Sequence, residues 1–147
     1  MIVPTIRCSR MIAVPPDVLW ETVADPHHLP RWWPRVARVE GVADRHFTEV
    51  LQTDKGKSVR ADFTVLESTR PSVRRWAQAV ENTPFERILA AAETEIRLVP
   101  DTGGTRVTLT LRQRLRGLAR LGGFLVRGAT RRQLDEALSS LESLHGD

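Results

Sequence analysis

Val59-Arg60-Ala61-Asp62-Phe63-Thr64-Val65 places an apolar side chain at every second position and a polar or charged one between. That period of two belongs to a strand with one face on a core and the other in water. The alternation returns at Val107, Leu109 and Leu111 against Thr108, Thr110 and Arg112. It also runs through 85–99, where Ile88, Ala90, Ala92, Ile96 and Leu98 oppose Arg87, Glu93, Glu95 and Arg97. From Arg35 onward, turn chemistry breaks the pattern at Asp44-Arg45, Thr53-Asp54-Lys55-Gly56, Arg70-Pro71-Ser72, Asn82-Thr83-Pro84 and Pro100-Asp101-Thr102-Gly103-Gly104. Six strands fit between these breaks. Links this short make neighbours antiparallel, because a parallel crossover needs about a dozen residues or more.

Upstream, residues 3–13 carry a similar alternation and read as a first strand. Pro15-Pro16-Asp17 then opens a short helix whose apolar stripe is Val18, Leu19, Trp20, Val23 and Ala24. Asp25-Pro26 ends it, and His27 to Trp33 leave room for one more helical turn before Pro34. Downstream of Gly117 the period becomes helical, with Leu118, Leu121, Leu125, Leu134, Leu138, Leu141 and His145 at spacings of three and four. Gly122, Gly123 and Gly128 in its first half imply either a close neighbour, sheet or ligand, or a kink or late helix start. A one-sided sheet and an amphipathic helix must cover each other. The chain is therefore predicted to be α+β: a seven-stranded curved antiparallel sheet wrapped around a long C-terminal helix, with two short helices between strands 1 and 2. At 147 residues one core is expected, hence a single domain over 1–147.

Composition narrows the class of protein. Cys8 is the lone cysteine, which excludes an internal disulfide, and no apolar run reaches the roughly 18 residues of a membrane span. The first residues carry no secretory pattern, so the expected location is the cytoplasm. Twenty of the 22 basic residues are arginine, and no acid lies between Asp101 and Asp135, where Arg106, Arg112, Arg114, Arg116, Arg120, Arg127, Arg131 and Arg132 fall. That run reads as solvated strand and helix faces, or else as a surface for an anionic partner or membrane. No aromatics interleave with it, so nucleic acid is not an expected partner.

Val14-Pro15-Pro16-Asp17-Val18-Leu19-Trp20, then Ala24-Asp25-Pro26 and Leu29-Pro30-Arg31-Trp32-Trp33-Pro34, carry a more specific signal. With the Gly103-Gly104-Thr105-Arg106-Val107 entry to the last strand and the closing leucine helix, they resemble the polyketide cyclase/dehydrase and lipid-transport family of the START-like (SRPBCC) superfamily. The resemblance spans nearly the whole chain. It implies the helix-grip fold and a mostly apolar cavity between sheet and helix, while saying little of the ligand, since its members handle sterols, lipids, hormones and aromatic polyketides.

On that reading the wall candidates are Trp33, Phe47, Phe63, Trp76, Ile88 and Phe124. Trp33, with Trp32, serves either as a lid over a ligand ring or as packing of the short helices; Trp76 is either pocket wall or core. Polar candidates for catalysis are Arg10, His46, Gln78 and Glu81. Arg10 shares parity with Cys8 and Ile12, and His46 begins a strand, where proton transfer and a solvated turn are both open readings. Glu81 lies at opposite parity to Trp76. Neither a metal nor a cofactor is expected: His27 and His28 have no third ligand at suitable spacing, and Gly103-Gly104 sits in a hairpin rather than opening a helix. Cys8 reads as a small core residue.

In the cyclases of that family, arginine, tyrosine and histidine position the substrate, and this chain has no tyrosine. The sequence thus favours binding, transport or sensing of a small hydrophobic molecule over a cyclase, aromatase or dehydratase. A membrane- or protein-interaction module built on the arginine-rich C-terminal region is the third reading. Oligomeric state is not legible.

Overall fold

The computed structural model describes residues 5–117 and 123–145, with side chains described from Val126 in the last helix. The elements are β1 (Thr5–Ile12), α1 (Pro16–Val23), a short 3-10 turn (Pro26–His28), α2 (Leu29–Trp32), β2 (Val36–Glu40), β3 (His46–Gln52), β4 (Ser58–Thr69) and β5 (Val73–Gln78). A second 3-10 turn (Pro84–Arg87), β6 (Leu89–Asp101), β7 (Gly104–Leu115) and α3 (Gly123–His145) follow. The seven strands form one antiparallel sheet in the order β1-β7-β6-β5-β4-β3-β2. Four of the five sequence-predicted turns fall between strands, and the fifth, 100–104, spans the β6–β7 hairpin with only 102–103 outside the strands.

Strand parity assigns the faces. Pairs directly opposite one another share a face, so Phe47, Phe63 and Gln78 lie together, as do Trp76, Thr94, Leu111 and Ile6. This inner face packs against α1, α2 and the second half of α3, whose Leu134, Ala137, Leu138 and Leu141 are wholly buried. Each leucine contributes about 1.5–3 kcal/mol by leaving water. Polar clamps fix the same half of the helix. Arg10 on β1 donates to Ser139 Oγ at 2.6 Å and pairs with Asp135 at 2.7 Å and Glu142 at 3.4 Å; His145 Nε2 lies 2.7 Å from Thr22 Oγ1 on α1.

The outer face explains the excess of arginine. Glu67, Glu93 and Glu95 interleave with Arg75, Arg97 and Arg112, and Glu40 pairs with both Arg38 and Arg60. Planar guanidinium groups can lie over the sheet and donate to several carboxylates at once. Even Val50 is only 1% exposed on this side, on a strand flanked by the two that carry Arg38 and Arg60.

One local expectation is corrected and one open alternative is narrowed. The strand expected from Phe85 begins at Leu89, because Pro84 and the Thr83 hydroxyl, which accepts the Phe85 N–H at 3.2 Å, wind residues 84–87 into a 3-10 turn. Among the described residues, α3 begins at Gly123, and a Cβ on Gly128 would meet only the Arg132 side chain at 3.7 Å, so no close neighbour demands that glycine.

Candidate functional site

The inner face divides into a closed part and an open part. Beneath the short helices the packing is aromatic and tight. Trp33 meets Trp32 edge-on at 5.5 Å between centroids and Trp76 at 6.4 Å, while Phe47 stacks on Phe63 at 5.2 Å and 9° between planes. Arg74 is buried beside Trp76, donating to Ser68 Oγ at 2.8 Å; burial lowers its pKa, opposed by the Asp25 carboxylate. The void bounded by Val23, Pro26, Leu29, Phe47, Arg74 and Trp76 measures about 10 Å³, room for one water at most.

The open part lies where β5 and β6 part. Their pairing stops at Ala77 and Glu93; Gln78 then pairs only with β4, while Leu89 to Ala92 pair only with β7. The breach is a cleft of about 540 Å³ lined by Ala77, Gln78, Ala79, Val80, Glu81, Ala90, Ala91, Ala92, Glu93 and Arg112. Its size lies within the usual range for small-molecule sites. The five alanines leave the space that larger side chains would fill. Gln78 Nε2 is fully buried here without a hydrogen-bond partner. Nearby, on the inner face of β7, Gln113 accepts a hydrogen bond from Thr130 Oγ1 of α3 at 3.3 Å.

Two strands further along the inner face from β5 stands Glu49 on β3, 3% exposed. Its cross-strand neighbours are Val39 and Ala61, and its own-strand neighbours on that face are Phe47 and Leu51. No described residue gives its carboxyl a hydrogen bond or an opposite charge. Burial alone pushes its pKa up to about 8, so at neutral pH it is mostly a carboxylic acid able to donate.

The residues singled out from sequence separate accordingly. Trp33, Phe47, Phe63 and Trp76 lie on the aromatic side of the inner face, and Gln78 opens onto the cleft. Ile88 is corrected: with the strand starting one residue later, it caps the 3-10 turn and is 52% exposed, and Leu89 takes the buried place. The side chain of Phe124, like Leu118 and Leu121, lies outside the described residues. Of the four polar candidates, Gln78 and Glu81 both line the cleft, whereas Arg10 and His46 do not. Arg10 is consumed by Asp135 and Glu142, His46 faces outward 3.4 Å from Thr64 Oγ1, and Glu81 is exposed in the loop after β5. Cys8 lies inward, its thiol 4.0 Å from the Arg131 carbonyl. In the arginine run, Arg106 pairs with Asp101 and Arg112 with Glu93 and Glu95, whereas Arg114, Arg116, Arg127, Arg131 and Arg132 are exposed. Among the described residues, no helix is long and apolar enough to cross a membrane.

Sequence reading missed Glu49 and Arg74. The signal was present as parity: Glu49 lies two residues from inward Phe47, and Arg74 two from inward Trp76.

Comparison with known proteins agrees with this architecture. The family model described as polyketide cyclase/dehydrase and lipid transport matches residues 4–146. A protein from Thermus thermophilus superposes with a TM-score of 0.76 at 24% identity, covering 95% of each chain. A START superfamily protein from Mycobacterium smegmatis gives 0.77 at 13% identity, covering 96% of each. The di-domain ARO/CYC BexL of the BE-7585A biosynthetic pathway gives 0.79 at 12% identity, covering 99% of this chain and 50% of BexL. At these identities the likeness is one of fold. No curated protein matches the chain in sequence.

Proposed function

We propose, for a chain that belongs to the polyketide cyclase/dehydrase and lipid transport family, that it binds a small, mainly apolar molecule against the inner face of the sheet, to carry, sequester or sense it. The observation that carries this reading is the cleft of about 540 Å³ opening between β5 and β6 and lined in part by Gln78, whose amide nitrogen is buried and unpartnered. Leaving a buried donor unpaired costs about 1–3 kcal/mol, which a ligand acceptor would recover. The stacked Phe47 and Phe63 lie on the same face next to it. Binding is favoured over catalysis because Arg10 and His46 stand apart from the cleft, and Glu81, which lines it beside Gln78, is a solvent-exposed loop residue.

Native mass spectrometry of protein purified from its source cells tests this. The expected result is a noncovalent adduct that organic solvent removes. Protein that is always empty, and that shows no tryptophan quenching with apolar ring compounds, would contradict the reading.

A further inference from the structure

Nine arginines among the described residues pair with a carboxylate. One end of the sheet departs from that habit. There Arg87, Arg114, Arg116, Arg127, Arg131 and Arg132 are exposed, and no described acid pairs with any of them.

The topology brings these six together. β1 and β6 start at this end and β7 finishes there, Thr5 pairing with Arg112 and Leu89 with Leu115. The Arg116 N–H donates to the Ile88 carbonyl at 2.9 Å, which joins the end of β7 to the turn that carries Arg87. On α3, Thr130 Oγ1 donates to Gln113 of β7 at 3.3 Å, and the Arg131 carbonyl lies 4.0 Å from the Cys8 thiol, so helix residues 127–132 stand over the same end. Against the six cations stand Glu81 and Glu86 of the loop before β6, and Glu86 accepts the Asn82 N–H at 3.2 Å. Glu93 is held by Arg75 and Arg112, Asp135 is held by Arg10, and Glu136 lies a turn further along α3. Ile88, which follows Arg87 and is tied to Arg116, is 52% exposed.

We propose that this end of the protein is a docking surface for an anionic lipid bilayer. Each arginine held near such a surface strengthens attachment about fivefold, and its planar guanidinium can meet two phosphate oxygens at once. Two features select lipid among polyanions. Ile88 offers an apolar side chain amid the cations, which the headgroup boundary accepts, whereas a nucleic acid calls for aromatic stacking partners that this surface lacks. The cleft between β5 and β6 also opens at this end, with Ala90 and Ala91 two and three residues beyond Ile88. An apolar molecule dissolved in the bilayer would meet the cleft where the protein rests. Docking goes beyond the binding reading above and does not depend on it.

Co-sedimentation of the full chain with sucrose-loaded vesicles tests this, using phosphatidylcholine alone and phosphatidylcholine with roughly 30% phosphatidylglycerol. At about 50 mM salt the mixed vesicles should bind at least tenfold tighter, and at about 500 mM salt that preference should fall below twofold. Arg116→Gln combined with Arg131→Gln should weaken binding to the mixed vesicles at least tenfold. The same loss of charge at the opposite end of the sheet, Arg45→Gln with Arg106→Gln, should weaken it less than threefold. Ile88→Ser should weaken it about threefold. Equal affinity for the two vesicles, equal losses in the two paired variants, or a tighter hold on a DNA duplex or polyglutamate than on the mixed vesicles would overturn the proposal. Failure to sediment with either vesicle would do the same. None of these results bears on the cleft, whose occupancy native mass spectrometry reads separately.

Discussion

Glu49→Gln should stabilise the protein by about 3 kcal/mol at pH 7 and about 5 kcal/mol above pH 8, with almost no effect near pH 4.5. The folded chain holds the Glu49 proton up to about pH 8, whereas the ordinary value is 4.5. A carboxyl whose folded pKa is raised favours folding fully at pH below its unfolded value. That contribution fades as pH climbs from 4.5 and is gone once pH passes 8. Glutamine keeps the shape and the hydrogen-bonding capacity but cannot ionise. Urea unfolding of parent and variant at pH 5, 7 and 9 checks the difference at each pH. Asp25 and Glu40 act in the opposite direction. Burial raises Asp25, but hydrogen bonds and charge from His27 and His28 hold it low overall, and hydrogen bonds from Arg38 and Arg60 do the same for Glu40. Their contributions are lost as pH falls and cancel between parent and variant. Parallel pH profiles would show that Glu49 is not the buried acid described above.

Gly104→Ala should lower stability by about 3 kcal/mol or more, a drop in Tm of about 10 °C for a chain of this length. Gly104 has φ +155°, and a Cβ built on it would lie 2.1 Å from the Ile12 carbonyl oxygen and 2.9 Å from Ala13 Cα. Both are backbone atoms at the end of β1, where Ile12 pairs with Thr105 and the Thr105 hydroxyl donates to the Val14 carbonyl at 2.7 Å. No side chain can turn aside to make room, so either the β6–β7 hairpin or the last pairs of β1 must yield. Gly103 is the control. Its φ is +86° with nothing within 4 Å of a built Cβ, so Gly103→Ala should cost only the left-handed strain of about 1–2 kcal/mol. Thermal unfolding of the two variants side by side separates contact from conformation. Equal losses would mean that the close approach to β1 is not what Gly104 serves.

The fold was readable because the sheet is half-buried. Each strand such as Ser58–Thr69 must alternate, and most turns, such as 100–104, carry glycine or proline, so period and punctuation agree. Ile88 was misplaced because period two does not reveal where a strand begins; Pro84 and Thr83 were the relevant signs. Gly104 was legible as a turn residue, while its contact with Ile12 depends on how a distant strand passes it. The site was less legible for a different reason. His46, Glu81 and Arg10 attract attention by their chemistry, yet their engagement depends on partners such as Thr64, Asp135 and Glu142, which adjacent sequence does not disclose. Glu49 drew none, although it breaks an otherwise apolar inward row of Phe47, Glu49 and Leu51. A charged residue at an inward position is the clue that parity offers once the sheet is recognised.

The central claim, a small-molecule cleft between β5 and β6, is tested most directly by mapping backbone amide shifts while an apolar ring compound such as 2-acetonaphthone is titrated into the labelled protein. The account predicts saturable shifts centred on Gln78, Val80, Glu81, Ala90 and Ala92, with the Arg10 clamp unmoved. Shifts confined to the exposed arginines of β7 and α3, or none at all, would contradict it.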